Sequence, residues 1–190
     1  PILWLSPLAG EVKAYADVEP LGKGRIKSLP QTLGIDEANL PTSLYLEIKR
    51  KRRLIPCGQA IKKPREVKDE EEIELMRKAI RINKTVFEKL EIFGKKEKDI
   101  AKEIEIEFLE QEASKAFEPI VASGSNAGNY IHHFPGSRLI KKSDMVIIDL
   151  GVRYEGYSSD ITRTLFNPRD KKQKAIFETV RSIQEECIEL

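Results

Sequence analysis

The sequence predicts a mixed α/β (α+β) chain in two parts, and three observations lead there. Short apolar runs alternate with two helical patterns through residues 1–60. Two long stretches with helical spacing follow, between Asp69 and Ala113. Then two β-branched runs, Met145–Ile148 and Ile161–Phe166, flank a segment rich in turn residues. Strand–helix alternation implies an α/β layer, and helices followed by a hairpin imply helices packed on antiparallel strands. The parts are expected to be an N-terminal α/β unit at 1–60, a linker at 61–66 and a second domain at 67–190.

Taken in order, Pro1–Pro7 (PILWLSP) reads as a strand and Gly10–Ala16 as a short helix, with a Gly, Lys and Pro-containing connection at Lys23–Pro30. Leu33–Asp36 is a short strand, Asn39–Arg50 a helix with Thr42 or Ser43 as candidate caps, and Arg53–Cys57 another strand. Ile61–Glu66 (IKKPRE) has a proline and no apolar periodicity, as a linker would.

Asp69–Phe93 is the clearest helix. Ile73, Met76, Ile80, Phe87 and Leu90 recur at helical spacing beside a second row of Leu75, Ala79, Ile82 and Val86, a wide core-facing stripe. Glutamates 70, 71, 72 and 74 favour its positive end, and Gly94 is the expected stop. A second helix, Lys96–Ala113, aligns Ile100, Ile104 and Phe108, although its start lacks a hydroxyl or carboxylate cap. Both helices are expected to cover a curved antiparallel sheet beginning at Pro119–Ala122.

Met145–Ile148 reads as a strand buried on both faces, followed directly by Asp149; Asp160 opens the return run. A two-residue loop at Tyr154–Glu155 places Asp149 opposite Asp160. A loop at Glu155–Gly156 shifts the pairing by two and keeps both acids on one face, because strand periodicity is two. Two such carboxylates, about 5 Å apart, repel unless a proton, a basic neighbour or a divalent cation offsets them. Two aspartates merely flanking a turn are the plain alternative.

The segments FEPIVASGSNAGNYIHHFPG, SDMVIIDLG and GYSSDITRT resemble the catalytic domain of the creatinase/aminopeptidase ("pita-bread") metallopeptidases, and within them the Xaa-Pro dipeptidases (prolidases) and Xaa-Pro aminopeptidases. The resemblance implies a partial creatinase-type N-terminal α/β domain that covers the active site and supports dimers, followed by an incomplete pita-bread domain. It implies two divalent ions (Mn, Co or Zn) bridged by a hydroxide that attacks the carbonyl before proline. Asp149 then binds one ion and Asp160 bridges both. The first histidine of the His132–His133 pair takes the substrate side and donates to the scissile carbonyl, while His133 supports or packs. The remaining His and two Glu ligands of the pattern fall beyond Leu190, so the chain supplies two ligands of five and is expected to be inactive alone. The expected partners are a proline-containing peptide or dipeptide and, for the parent enzyme, a second subunit. A non-catalytic peptide-binding module and a methionine-aminopeptidase-like hydrolase are the alternatives.

Composition agrees with this class. With 190 residues, 34% charged and a net charge of +2, the chain has no marked basic excess to bind nucleic acid. The run Lys49–Arg53 fits a solvated helix end better than a nucleic-acid patch. No apolar run approaches a membrane span and no signal peptide opens the chain, so a soluble, cytoplasmic location is expected. Cys57 and Cys187 lie far apart without metal spacing.

Overall fold

The computed structural model describes residues 2–5, 17–20, 29–129 and 131–190. The chain divides into two compact units, Pro1–Lys68 and Asp69–Leu190. The first contains parallel pairs: β1 (Ile2–Leu5) with β2 (Asp17–Pro20), and β3 (Thr32–Ile35) with β4 (Arg53–Pro56). Helix α1 (Thr42–Lys49) connects β3 to β4. The expected helix at Gly10–Ala16 and most of the Lys23–Pro30 connection lie outside the described residues.

Helix α1 starts three residues later than its pattern suggested. Pro41 bars Leu40 from helical geometry, and Asp36 organises a turn instead: its carbonyl accepts from Asn39 and Leu40, and its carboxylate from Ala38 and the Asn39 amide. Pro41 is the N-cap, so neither Thr42 nor Ser43 caps the helix. Two helical turns, α2 (Gly58–Lys62) and a 3-10 turn at Lys63–Arg65, occupy the stretch read as a linker.

In the second unit, α3 (Glu70–Lys89) opens on a reciprocal cap. The Asp69 carboxylate accepts from Glu72 N–H, and Glu72 accepts from Asp69 N–H, each at 2.9 Å. The helix ends at Lys89, short of Gly94, because Leu90 turns extended and swings Ile92 into the core. Gly94, at φ +84°, then donates to the Ile140 carbonyl. Helix α4 (Glu97–Glu110) has no side-chain cap, as its sequence indicated. The amides of Glu97 and Lys98 donate instead to the carbonyls of Arg138 and Gly136.

Two three-stranded sheets complete this unit. Strands β6 (Ile120–Ser123), β7 (Val146–Leu150) and β10 (Ile161–Leu165) form one, with β7 central and both pairings antiparallel. Strands β5 (Ser114–Lys115), β8 (Val152–Tyr154) and β9 (Tyr157–Ser158) form the other. Thus the segment read as turn residues is mostly strand, reversed at Glu155–Gly156 with φ of +48° and +87°, as a tight primed hairpin turn requires. Strand β7 is not buried on both faces. It alternates, and Asp149 lies inside it rather than after it. Val146, Ile148 and Leu150 enter the core with Ala79, Ile82 and Val86 of α3 and Ile100, Ile104 and Phe108 of α4. The Asn83 amide, also buried, donates to the Leu150 carbonyl at 3.0 Å and ties α3 to the end of β7. A short α5 (Ser125–Asn129) follows β6, and α6 (Lys171–Glu189) ends the chain.

Candidate active site

The hairpin decides where the acids point. From Val146↔Leu165 to Tyr154↔Tyr157, paired residue numbers keep one constant sum across both sheets, so no bulge interrupts the ribbon. Strand parity therefore holds from β7 to the return strand. The loop is at Glu155–Gly156, so Asp149 stands opposite Thr162 rather than opposite Asp160. Asp160 is two residues earlier on the same face, diagonal to Asp149. On its other side Asp149 neighbours Ile120 of β6.

The Thr162 hydroxyl donates to Asp149 Oδ1 at 2.9 Å. The Asp160 carboxyl is held above its ordinary value by partial burial, then by the charge of Asp149 and a hydrogen bond shared with it. Two neighbouring acids on one face are a ready cation site, because a divalent ion removes the repulsion between their charges. Oxygen donors of this kind suit hard divalent ions, so the pair fits part of a metal centre. Among the described residues no three His, Cys, Asp or Glu gather closely enough to hold an ion.

The histidines occupy the return from α5 to β7. His132 is exposed. His133 is half-buried, and its Nε2 lies 2.9 Å from Oε2 of Glu97. Glu97 is the residue that sequence reasoning passed over. It is wholly buried, and it accepts from Ser123 N–H at 2.8 Å, Ser123 Oγ at 2.7 Å, Asn126 Nδ2 at 3.0 and 3.1 Å and Gly136 N–H at 3.2 Å. Burial is the largest single influence and pushes its pKa up, but the bonds from His133, Ser123 and Asn126 together hold it below its ordinary value. A carboxylate so placed is ionised and only accepts, so His133 Nε2 carries the proton and donates. A signal for Glu97 was available: it continues the Ile100, Ile104, Phe108 row by one turn, an acid on an apolar stripe.

Residues 74–190 match the family model described as metallopeptidase family M24. The chain belongs to that family. It is 35% identical over 167 residues to the Xaa-Pro dipeptidase of Pyrococcus horikoshii, covering 84% of this chain and 47% of that relative. A prolidase structure from Pyrococcus horikoshii OT3 superposes with a TM-score of 0.78 at 33% identity, over 90% of this chain and 52% of that one. An X-Pro aminopeptidase from Thermotoga maritima gives 0.75 at 29% identity, over 90% and 53%. The resemblance read from the acid and histidine segments, and the mixed α/β architecture read with it, therefore hold. The M24 chain spans about half the length of the curated relatives it matches. No helix among the described residues is long and apolar enough to cross a membrane.

Proposed function

We propose that this M24 chain provides one side of the active site of an Xaa-Pro peptidase, which hydrolyses the peptide bond before proline in a dipeptide or at the start of a longer peptide. The observation that carries the reading is the Asp149–Asp160 pair on one face of an unbulged hairpin, with the Asp160 carboxyl raised by partial burial and then by the charge of Asp149. Relatives named as Xaa-Pro dipeptidase and prolidase support the substrate class.

In this reading Asp149 would hold one divalent ion (Mn, Co or Zn) and Asp160 would contribute its carboxylate to that ion and to a second. Bound metal supplies Lewis acidity and lowers the pKa of water. Thr162 keeps one Asp149 oxygen oriented through the hydroxyl bond. His132, exposed and free of the Glu97 network that occupies His133, donates to the scissile carbonyl oxygen as negative charge develops there. A further His and two Glu, implied by the family pattern, match no position in these 190 residues. With two carboxylates alone this stretch holds divalent ions weakly, and activity belongs to a protein that supplies the rest. That protein acts as a homodimer, in the cytoplasm.

The test is hydrolysis of an Xaa-Pro dipeptide by the whole metal-loaded protein, with Asp149→Asn and Asp160→Asn made separately. Each should abolish turnover and lower metal stoichiometry. Full activity in either variant would refute the reading.

A further inference from the structure

We propose that Glu97 is a positioning residue: its buried carboxylate clamps both ends of the Ser123–Gly136 excursion and so fixes the direction in which His132 presents its ring. The proposal rests on the reading of His132 as the substrate-side donor. Its physical basis is the geometry of one side chain.

The excursion leaves the end of β6 and returns towards β7. Oε1 of Glu97 takes the departing end, through the Ser123 amide and hydroxyl. Oε2 takes the returning end, through the His133 ring and the Gly136 amide. Asn126 bridges both oxygens from the middle of the segment. The main chain of α4 adds two more ties, Glu97 N–H to the Arg138 carbonyl and Lys98 N–H to the Gly136 carbonyl. Beyond the carboxylate, Arg138 Nε donates to Ser123 Oγ at 3.1 Å and its guanidinium pairs with Asp144 at 2.9 Å, which binds the turn before β7.

A loop of this length on its own would sample many conformations. Here His133 is fastened to the buried carboxylate, and the residue before it, the exposed His132, lies in the turn that this anchor holds. Fastening His133 therefore restricts the backbone that carries the His132 ring. Glu97 touches no reacting atom; it acts through the adjacent histidine. The first-turn acid and the exposed histidine form one device, with buried charge as its fixed end.

Amide hydrogen exchange and steady-state kinetics on the whole protein test this, using Glu97→Gln, His133→Ala, His133→Gln and His132→Ala. Exchange is measured metal-free, with α3 amides as the internal reference. We expect Glu97→Gln and His133→Ala to speed exchange within 123–136 by about tenfold or more while α3 is unchanged, and His133→Gln, which keeps an N–H donor, to restore most of the protection. In the metal-loaded protein the first two variants should lower kcat for an Xaa-Pro dipeptide about tenfold or more with little change in KM, the mark of an interaction made in the transition state. Equal acceleration across the whole unit, or unchanged kcat per folded molecule, would reduce Glu97 to a stabilising residue and overturn the proposal. If Glu97→Gln does not fold, the His133 pair decides alone. Unchanged kcat in His132→Ala would overturn the catalytic reading of His132 itself, while exchange still judges the clamp.

Discussion

Replacing Glu97 by its isostere Gln keeps the shape and removes the charge, which makes its effect on stability calculable. The amide nitrogen must take the place of one carboxylate oxygen. At Oε1 it meets the Ser123 N–H; at Oε2 it meets the Gly136 N–H. The hydroxyl of Ser123 can rotate, Asn126 can flip and His133 can change tautomer, but a backbone N–H cannot turn away. Either orientation orphans one main-chain donor, at about 1–3 kcal/mol. The remaining bonds lose their charge assistance, and relief of carboxylate desolvation offsets part of the loss. The net expectation is a destabilisation of about 2–4 kcal/mol at neutral pH. Because the folded pKa of Glu97 is depressed, its contribution is present above the unfolded value and is lost as pH falls through the lowered one. His133 faces Glu97 directly and Arg138 faces it through Ser123, with Asp144 behind, so the same series on His133→Ala separates their coupling from the effect of Glu97 itself. Urea unfolding of wild type and Glu97→Gln at a series of pH values from about 7 down to about 2.5 should show a gap that narrows once pH drops below about 4.3. A gap that is constant across the series, or absent at neutral pH, would refute the assignment of Glu97 as an ionised hub.

Two other substitutions probe the frame of the site. A Cβ on Gly151, where the chain passes from one sheet to the other, would collide with the Phe117 ring and lie 2.8 Å from the Ser159 carbonyl oxygen; Gly151→Ala should cost about 1–3 kcal/mol in thermal unfolding, and a smaller loss would mean that the passage between sheets tolerates a shift. Asp69→Ala removes the reciprocal cap of α3 and should cost about 1 kcal/mol by urea denaturation, with core packing unchanged.

The parts legible in the sequence are those set by periodicity. The second row on α3, through Ala79, Ile82 and Val86, and the row on α4 identified the core helices, whereas Ile80 of the first α3 row is exposed; strand parity placed Asp149 and Asp160 on one face whichever of the two loops formed. The parts misread depend on single tertiary contacts. Gly94 looked like a helix stop, yet the helix gives way earlier to bury Ile92, and the glycine serves the pairing with Ile140. The turn-rich residues 152–158 became strands because α3 and β5 offer them partners that composition does not reveal: Tyr157 donates to Glu72 at 2.8 Å, and β8 pairs with β5. Glu97 was hidden for a similar reason. Its five donor groups come from four residues spread over 123–136, and only its place on an apolar row hinted at burial.

The acid pair offers the sharpest separation between a metal site and a structural turn, because the two readings predict opposite signs for one substitution. Without metal, Asp160 lies diagonal to Asp149 on one face, and partial burial together with the charge of Asp149 disfavours its ionisation. Above the raised value both are ionised and the repulsion opposes folding, so Asp160→Asn should raise the melting temperature of the metal-free protein at neutral pH. With a divalent ion the sign reverses. The ion binds the folded state through these oxygens and stabilises it by mass action, so wild type should gain melting temperature on addition of Mn²⁺ while Asp160→Asn gains little. An amide that donates to Asp149 also occupies an oxygen the ion needs. Paired thermal scans of both proteins, with chelator and with excess Mn²⁺, read out the reversal. If Asp160→Asn destabilises the metal-free protein and leaves the response to Mn²⁺ intact, Asp160 is a residue of the turn and the hairpin holds no metal.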